Sequence, residues 1–124
     1  MLVRWLVNQK RLSRDQVRVL RAAVRRGEPL AFSAITPLEI AVLFGKEGTR
    51  LRVPAQELFA NLESRGGFRV LPIDVEVAAE VEALGDTLRD PADRAIVATA
   101  RIHRLQLVTS DQRIMESKLV PVVG

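Results

Sequence analysis

An α/β fold, with a short and mainly parallel sheet covered by helices, is predicted by three features of the sequence. Apolar strand candidates near 30–33, 68–73, 105–108 and 119–123 alternate with amphipathic helical stretches, the order that builds a parallel sheet through helical crossovers. The stretch Asp90 to Asp111, DPADRAIVATARIHRLQLVTSD, sets a buried helix against a buried strand with only His103 and Arg104 as the turn. Acids stand at both ends of this unit. The strand folds back along the helix, so Asp90, Asp93 and Asp111 fall at one edge of the sheet, where clustered carboxylates make a candidate metal site.

The elements follow in chain order. Met1 to Val7 is a short apolar piece with no strand before it. Ser13 opens the first helix, with Gln16 three residues on as in a capping box, and Gly27 closes it. Val17, Leu20 and Val24 form its inward stripe, whereas Arg14, Arg18, Arg21 and Arg25 line another face. That face is either a solvated surface or a track for RNA phosphates. Leu30 to Ser33 is a strand after Pro29, and Thr36 caps the next helix with Pro37 at its first position, which puts Glu39 where a capping box wants an acid. Gly45 and Gly48 end that helix, Leu51 to Pro54 leads into another over about 55–64 with Leu58, Phe59 and Leu62 inward, and Gly66-Gly67 breaks the chain.

Phe68 to Ile73 has the character of an edge strand, since Pro72 cannot donate to a ladder, and Asp74 caps a helix over 75–84. Asp90 reads as an N-cap, Pro91 as the first helical position and Asp93 as the third. Asp111 caps a short helical turn at 112–116, and Leu119 to Val123 suggests a closing edge strand. His103, the single histidine, sits at a helix end beside Arg104, a place for a surface or helix-terminal charge.

Composition bounds the answer. A chain of 124 residues with 48% hydrophobic content fits one compact domain over 1–124, able to bury roughly two thirds of its unfolded surface. The absence of cysteine excludes disulfides and thiolate metal sites. No apolar run approaches the roughly 20 residues of a membrane span, and MLVRWLVNQK is too interrupted for a secretory signal. A soluble, cytoplasmic protein that spans no membrane is the expectation. The net charge of +4, from 19 Lys and Arg against 15 Asp and Glu, permits a polyanionic partner. Lysine occurs only at positions 10, 46 and 118, and this arginine dominance either suits bidentate phosphate contacts or reflects a GC-rich genome.

The string Asp90-Pro-Ala-Asp93-Arg94-Ala-Ile-Val-Ala-Thr-Ala followed by Leu107-Val-Thr-Ser-Asp111 resembles the carboxy-terminal half of PIN-domain nucleases, in particular VapC-type toxins of toxin–antitoxin pairs. The likeness extends through Ser33-Ala-Ile-Thr36-Pro-Leu-Glu39-Ile and, more loosely, through Leu51 to Pro54 and Val70 to Ile73. The resemblance implies a three-layer α/β/α fold and hydrolysis of RNA phosphodiesters with Mg²⁺ or Mn²⁺. Glu39, Asp93 and Asp111 match the family's catalytic and metal-binding acids, and Asp90 its more variable outer acid. Thr109 or Ser110 would orient Asp111. A homodimer and a small antitoxin partner are also implied.

One part of the family pattern is unmatched. Its first strand is central and ends in Asp, whereas Leu2-Val-Arg-Trp5-Leu matches the segment that follows that strand. The resemblance therefore implies a missing central strand and a missing fourth acid, through a start placed inside the reading frame or through decay. A second function class follows from that gap, a catalytically impaired remnant that only binds an antitoxin-like partner. A receiver-like phosphoacceptor module is disfavoured, because it wants an acid pair after the first strand and a lysine after the last, and Lys118 lies too near the carboxyl end.

Overall fold

The computed structural model describes residues 5–7, 13–38, 60, 64 and 68–123. Glu39 lies outside the described residues, as do the glycines at 45, 48, 66 and 67, the 51–54 segment and the inward residues Leu58, Phe59 and Leu62. Of the helix expected near 55–64, Ala60 and Ser64 are described, and both are helical.

Among the described residues, five strands form one sheet: β1 (Trp5–Val7), β2 (Leu30–Ser33), β3 (Phe68–Leu71), β4 (Gln106–Val108) and β5 (Val122–Val123). Their order is β3-β2-β1-β4-β5, and every ladder is parallel. The helices are α1 (Arg14–Arg25), α2 (Val75–Ala83), α3 (Pro91–Ile102) and α4 (Gln112–Ser117), with residues 35–38 also helical. The predicted α/β class is the observed one.

The expectation of a missing central strand is corrected. Trp5–Val7 itself fills the centre, with Leu6 opposite Ala31 on one side and Leu107 on the other. Without a strand there, β2 and β4 would each present an unpaired row of backbone N–H and C=O groups inside the protein, at a cost for every group. The apolar triplet supplies the pairing and the packing together. The residue after Val7 is Asn8.

Alternation along the strands makes two cores. Leu6, Ala31 and Leu107 join Val77, Leu84, Ile96, Val97 and Ile114 in one cluster, while Val7, Leu30 and Val108 join Leu20 and Ala23 in the other. Helices α2 and α3 thus cover one face of the sheet and α1 the other, which is the three-layer arrangement. Helix α3 is buried at every position from Ala95 to Ala100. Its small residues let it pass between α2 and the sheet, and Arg101 Nε meets Glu80 at 2.9 Å across the α2–α3 contact.

Helix ends follow sequence chemistry closely. Ser13 and Gln16 make both bonds of a capping box. Gly27 takes the left-handed conformation, with Gly27 N–H donating to Val24 O and Glu28 N–H to Ala23 O, the Schellman closure. The inward face of α1 is turned from the expected one, because Gln16, Leu20 and Ala23 are buried whereas Val24 is 58% exposed. The buried amide of Gln16 is hydrogen-bonded to the sheet and fixes this rotation. The helix after β2 starts at Ile35, so Thr36 lies inside it instead of capping it, and Ser33 Oγ accepts from Ile35 N–H at 3.2 Å.

A central place for β1 has a measurable consequence. Leu6→Ala should destabilise the protein by about 2–5 kcal/mol, the range for a fully enclosed leucine, as read from urea denaturation midpoints. A loss of under about 1 kcal/mol, typical of a tolerant site, would remove β1 from the centre.

Candidate active site at the carboxyl edge of the sheet

In a parallel sheet all strands end on the same side, and this edge collects the candidate acids. Asp90 caps α3, its Oδ1 accepting the Asp93 N–H at 3.0 Å, and Pro91 occupies the first turn where its missing N–H costs nothing. Asp93 then falls in the first turn, where the helix dipole favours negative charge. Asp93 is 5% exposed, whereas Asp90 is open to solvent. A carboxylate is rarely buried to that degree without a cation or several donors to hold it.

The far end of α3 fixes where β4 starts. Leu105 N–H returns to Ala100 O at 2.8 Å and Arg104 N–H to Arg101 O at 3.2 Å, a Schellman closure with Arg104 at φ 55°. Helix and strand consequently run antiparallel, which brings the start of α3 level with the end of β4. His103 lies at the opposite edge, capping the carboxyl end of α3 and exposed.

Past β4, Thr109 is buried and its N–H continues the ladder to Val123 O at 3.3 Å. Thr109 Oγ1 accepts the Asp111 N–H at 3.1 Å. Asp111 is half-buried, and its Oδ1 accepts from Arg113 N–H at 2.9 Å and Ile114 N–H at 3.4 Å, capping α4. These cap bonds engage one carboxylate oxygen and leave Oδ2 outside them. Thr109 and Ser110 make different contacts: Thr109 Oγ1 holds the Asp111 backbone, while Ser110 Oγ donates to Gln16 Oε1 at 3.1 Å.

The loop that delivers Asp90 is itself tied down. Arg94 donates through Nη1 to Gly85 O and Leu88 O at 2.6 and 2.5 Å, and through Nη2 to Val81 O at 2.5 Å. One guanidinium thus joins a carbonyl near the end of α2, Val81 O, which also accepts the Leu84 N–H, to two carbonyls in the following loop. In the sequence Arg94 stands out only as the last residue of the Asp90-Pro-Ala-Asp93-Arg94 string. Its planar fork beside a chain of turn carbonyls was the available signal.

Among the described residues no three His, Cys, Asp or Glu side chains converge as a metal cluster. Glu39, the third expected acid, is outside them. Asp93 and Asp111 share the edge, and the donor chemistry there is carboxylate oxygen, with the chain's one histidine at the far side and no cysteine in the sequence. Such a donor set fits a hard divalent cation of the Mg²⁺ or Mn²⁺ kind. On the other side of the sheet, Arg14, Arg18, Arg21 and Arg25 are all exposed along α1, with Arg18 Nη2 3.0 Å from Asp15. With Val17 and Ala22 they line an open trough of about 460 Å³. The Arg14 end of this row is the end at the carboxyl edge, because neighbouring Gln16 bonds to Thr109 O. No described helix is long and apolar enough to cross a membrane.

Comparison with known proteins agrees with this architecture. The family model of the PIN domain matches residues 1–118. Over 111 residues the chain is 34% identical to ribonuclease VapC22 of Mycobacterium tuberculosis (strain ATCC 25618 / H37Rv), covering 89% of this chain and 81% of the relative. Among solved structures, it is similar to a toxin–antitoxin complex from Klebsiella pneumoniae, with a TM-score of 0.63, 25% identity and coverage of 96% of this chain and 95% of that one. FitAcB from Neisseria gonorrhoeae shares the fold with a TM-score of 0.67 at 24% identity, covering 97% and 96% of the two chains. With the fold and a family match over nearly its whole length in agreement, the chain belongs to the PIN-domain family.

Proposed function

We propose that this protein is a metal-dependent endoribonuclease, the toxin of a toxin–antitoxin pair, whose site is built from Glu39, Asp93 and Asp111 with Asp90 at its rim. The observation that carries this reading is the pairing of a buried acid at the start of α3 with a second acid past the end of β4, in a chain 34% identical to a ribonuclease. A divalent cation bound there supplies Lewis acidity, lowering the pKa of a water and offsetting charge that develops on the phosphodiester. Asp93 and the free oxygen of Asp111 would hold that ion. Thr109 keeps the Asp111 backbone in register, and Arg94 keeps the loop before α3 in place. Cleavage needs no nucleophilic side chain, and the exposed acid Asp90 serves first as the helix cap. An RNA strand would follow the arginines of α1, entering at the Arg14 end. A small antitoxin protein is the proposed partner and a homodimer the proposed assembly.

A specific observation supports a second reading. The residue that follows β1 in the sequence is Asn8, an amide and not a carboxylate, so this strand adds no charged ligand beside Asp93 and Asp111. A chain that binds an antitoxin-like partner without cutting RNA would follow from that deficit. Partner binding with no Mg²⁺- or Mn²⁺-dependent cleavage by the unsubstituted protein selects it over the nuclease.

Two measurements test the nuclease reading. Asn can cap a helix as well as Asp, so Asp111→Asn keeps the start of α4, and Asp93→Asn replaces a side chain inside the first turn of α3 by one of the same shape; both should leave the fold intact while removing charge. Each should reduce Mg²⁺- or Mn²⁺-dependent RNA cleavage by at least about 100-fold, the upper end seen even for groups that merely orient a ligand. Undiminished cleavage by Asp93→Asn would sink its role. In a binding assay with single-stranded RNA, Arg21→Gln and Arg25→Gln should each flatten the salt dependence, by about 0.7 in the slope of log K against log salt for each phosphate that is no longer neutralised. An unchanged slope would return the α1 arginines to the status of a solvated face.

A further inference from the structure

We propose that Gln16 is a positioning residue for Asp111, acting across the sheet from the first turn of α1; this rests on the reading of Asp111 as a metal ligand. Gln16 is 0% exposed, although it sits in the first turn of a helix whose start is open to solvent. Its carboxamide is saturated. Oε1 accepts from Ser13 N–H at 2.7 Å and from Ser110 Oγ at 3.1 Å, while Nε2 donates to Thr109 O at 2.7 Å and Val123 O at 2.8 Å. Capping α1 requires just the Ser13 bond. The other three reach segments 93 to 107 residues away in sequence.

The partners of those three bonds define what the amide does. Val123 O also accepts the Thr109 N–H, so Nε2 sits astride the last rung between β4 and β5. Residues 109 and 110 are held from outside the strand, and the next residue, Asp111, is held by Thr109 Oγ1. A carboxamide is the side chain that can donate twice and accept at the same point. A Glu would keep the capping box, since Glu and Gln serve equally there, but it would set a carboxylate against two carbonyls. An apolar residue of the same length would leave Thr109 O without its side-chain donor and drop the Ser110 bond. The requirement for Gln in place of Glu therefore belongs to the clamp on 109–111 and not to the helix cap.

The test uses Gln16→Glu, which preserves the cap, Gln16→Met, and Leu20→Ala as a control that loosens the α1 core without touching the clamp. Amide hydrogen exchange is measured without metal, and Mn²⁺ affinity by titration. Arg113 and Ile114, whose N–H groups are held by Asp111, should exchange roughly tenfold faster in both Gln16 variants, the equivalent of losing about one hydrogen bond. Exchange within α3 should not change. Mn²⁺ should bind about 10- to 100-fold more weakly, the loss expected when the support of a ligand is removed, while Leu20→Ala binds it as the unsubstituted protein does. Wild-type exchange at Arg113 and Ile114 in Gln16→Glu, or a uniform change matched by Leu20→Ala, would overturn the proposal. Selective loosening in a protein that binds no Mn²⁺ even unsubstituted would instead overturn the metal reading, and the positioning role with it.

Discussion

Parallel pairing around β1 is the constraint on which the rest of the molecule depends. Two parallel neighbours on one central strand oblige every connection to cross over a face of the sheet, so helices cover both faces and all strands end on one side. Leu6 and Val7, adjacent in sequence, point into different cores and join the two layers of helices through the sheet. Three residues suffice because the strand is paired on both sides and Leu6 and Val7 are buried on its two faces. The same constraint gathers the start of α1, the start of α3 and the ends of β4 and β5 at one edge.

At that edge, capping and the proposed chemistry use the same kind of residue. Asp90 and Asp111 each spend one oxygen on backbone N–H groups at a helix start, while Asp93 lies inside its helix and is buried. A cap bond fixes a carboxylate's direction without consuming its second oxygen, so stability and ligation are compatible at Asp111. The clamps around the acids are distributed. Arg94 immobilises the loop leading to α3, and Gln16 immobilises the residues leading to α4, so the two candidate ligands are oriented from opposite sides of the sheet.

The features legible in the sequence were those with local causes. Ser13, Asp74, Asp90 and Asp111 cap the helices expected of them, because capping depends on residues two or three positions apart. The edge place of β3 was legible from Pro72, and the tight return from α3 to β4 from the two-residue turn. What was hidden depends on tertiary partners. Trp5–Val7 is too short to carry a period, and its strand state comes from β2 and β4 on either side. The rotation of α1 that exposes Val24 and buries Ala23 follows from hydrogen bonds between Gln16 and residues about a hundred positions away. The helix after β2 starts at Ile35 because the Ser33 hydroxyl supersedes the cap pattern that Thr36 and Pro37 match.

The most direct measurement of the central claim is a backbone amide NMR spectrum of the protein titrated with substoichiometric Mn²⁺, whose paramagnetism broadens signals near the ion. The amides around Asp93 and those of Ser110, Asp111 and Gln112 should disappear together, while His103 and Arg104, at the opposite end of α3, persist. Loss of one acid's neighbourhood without the other, or broadening centred elsewhere, would contradict a shared metal site at the carboxyl edge of the sheet.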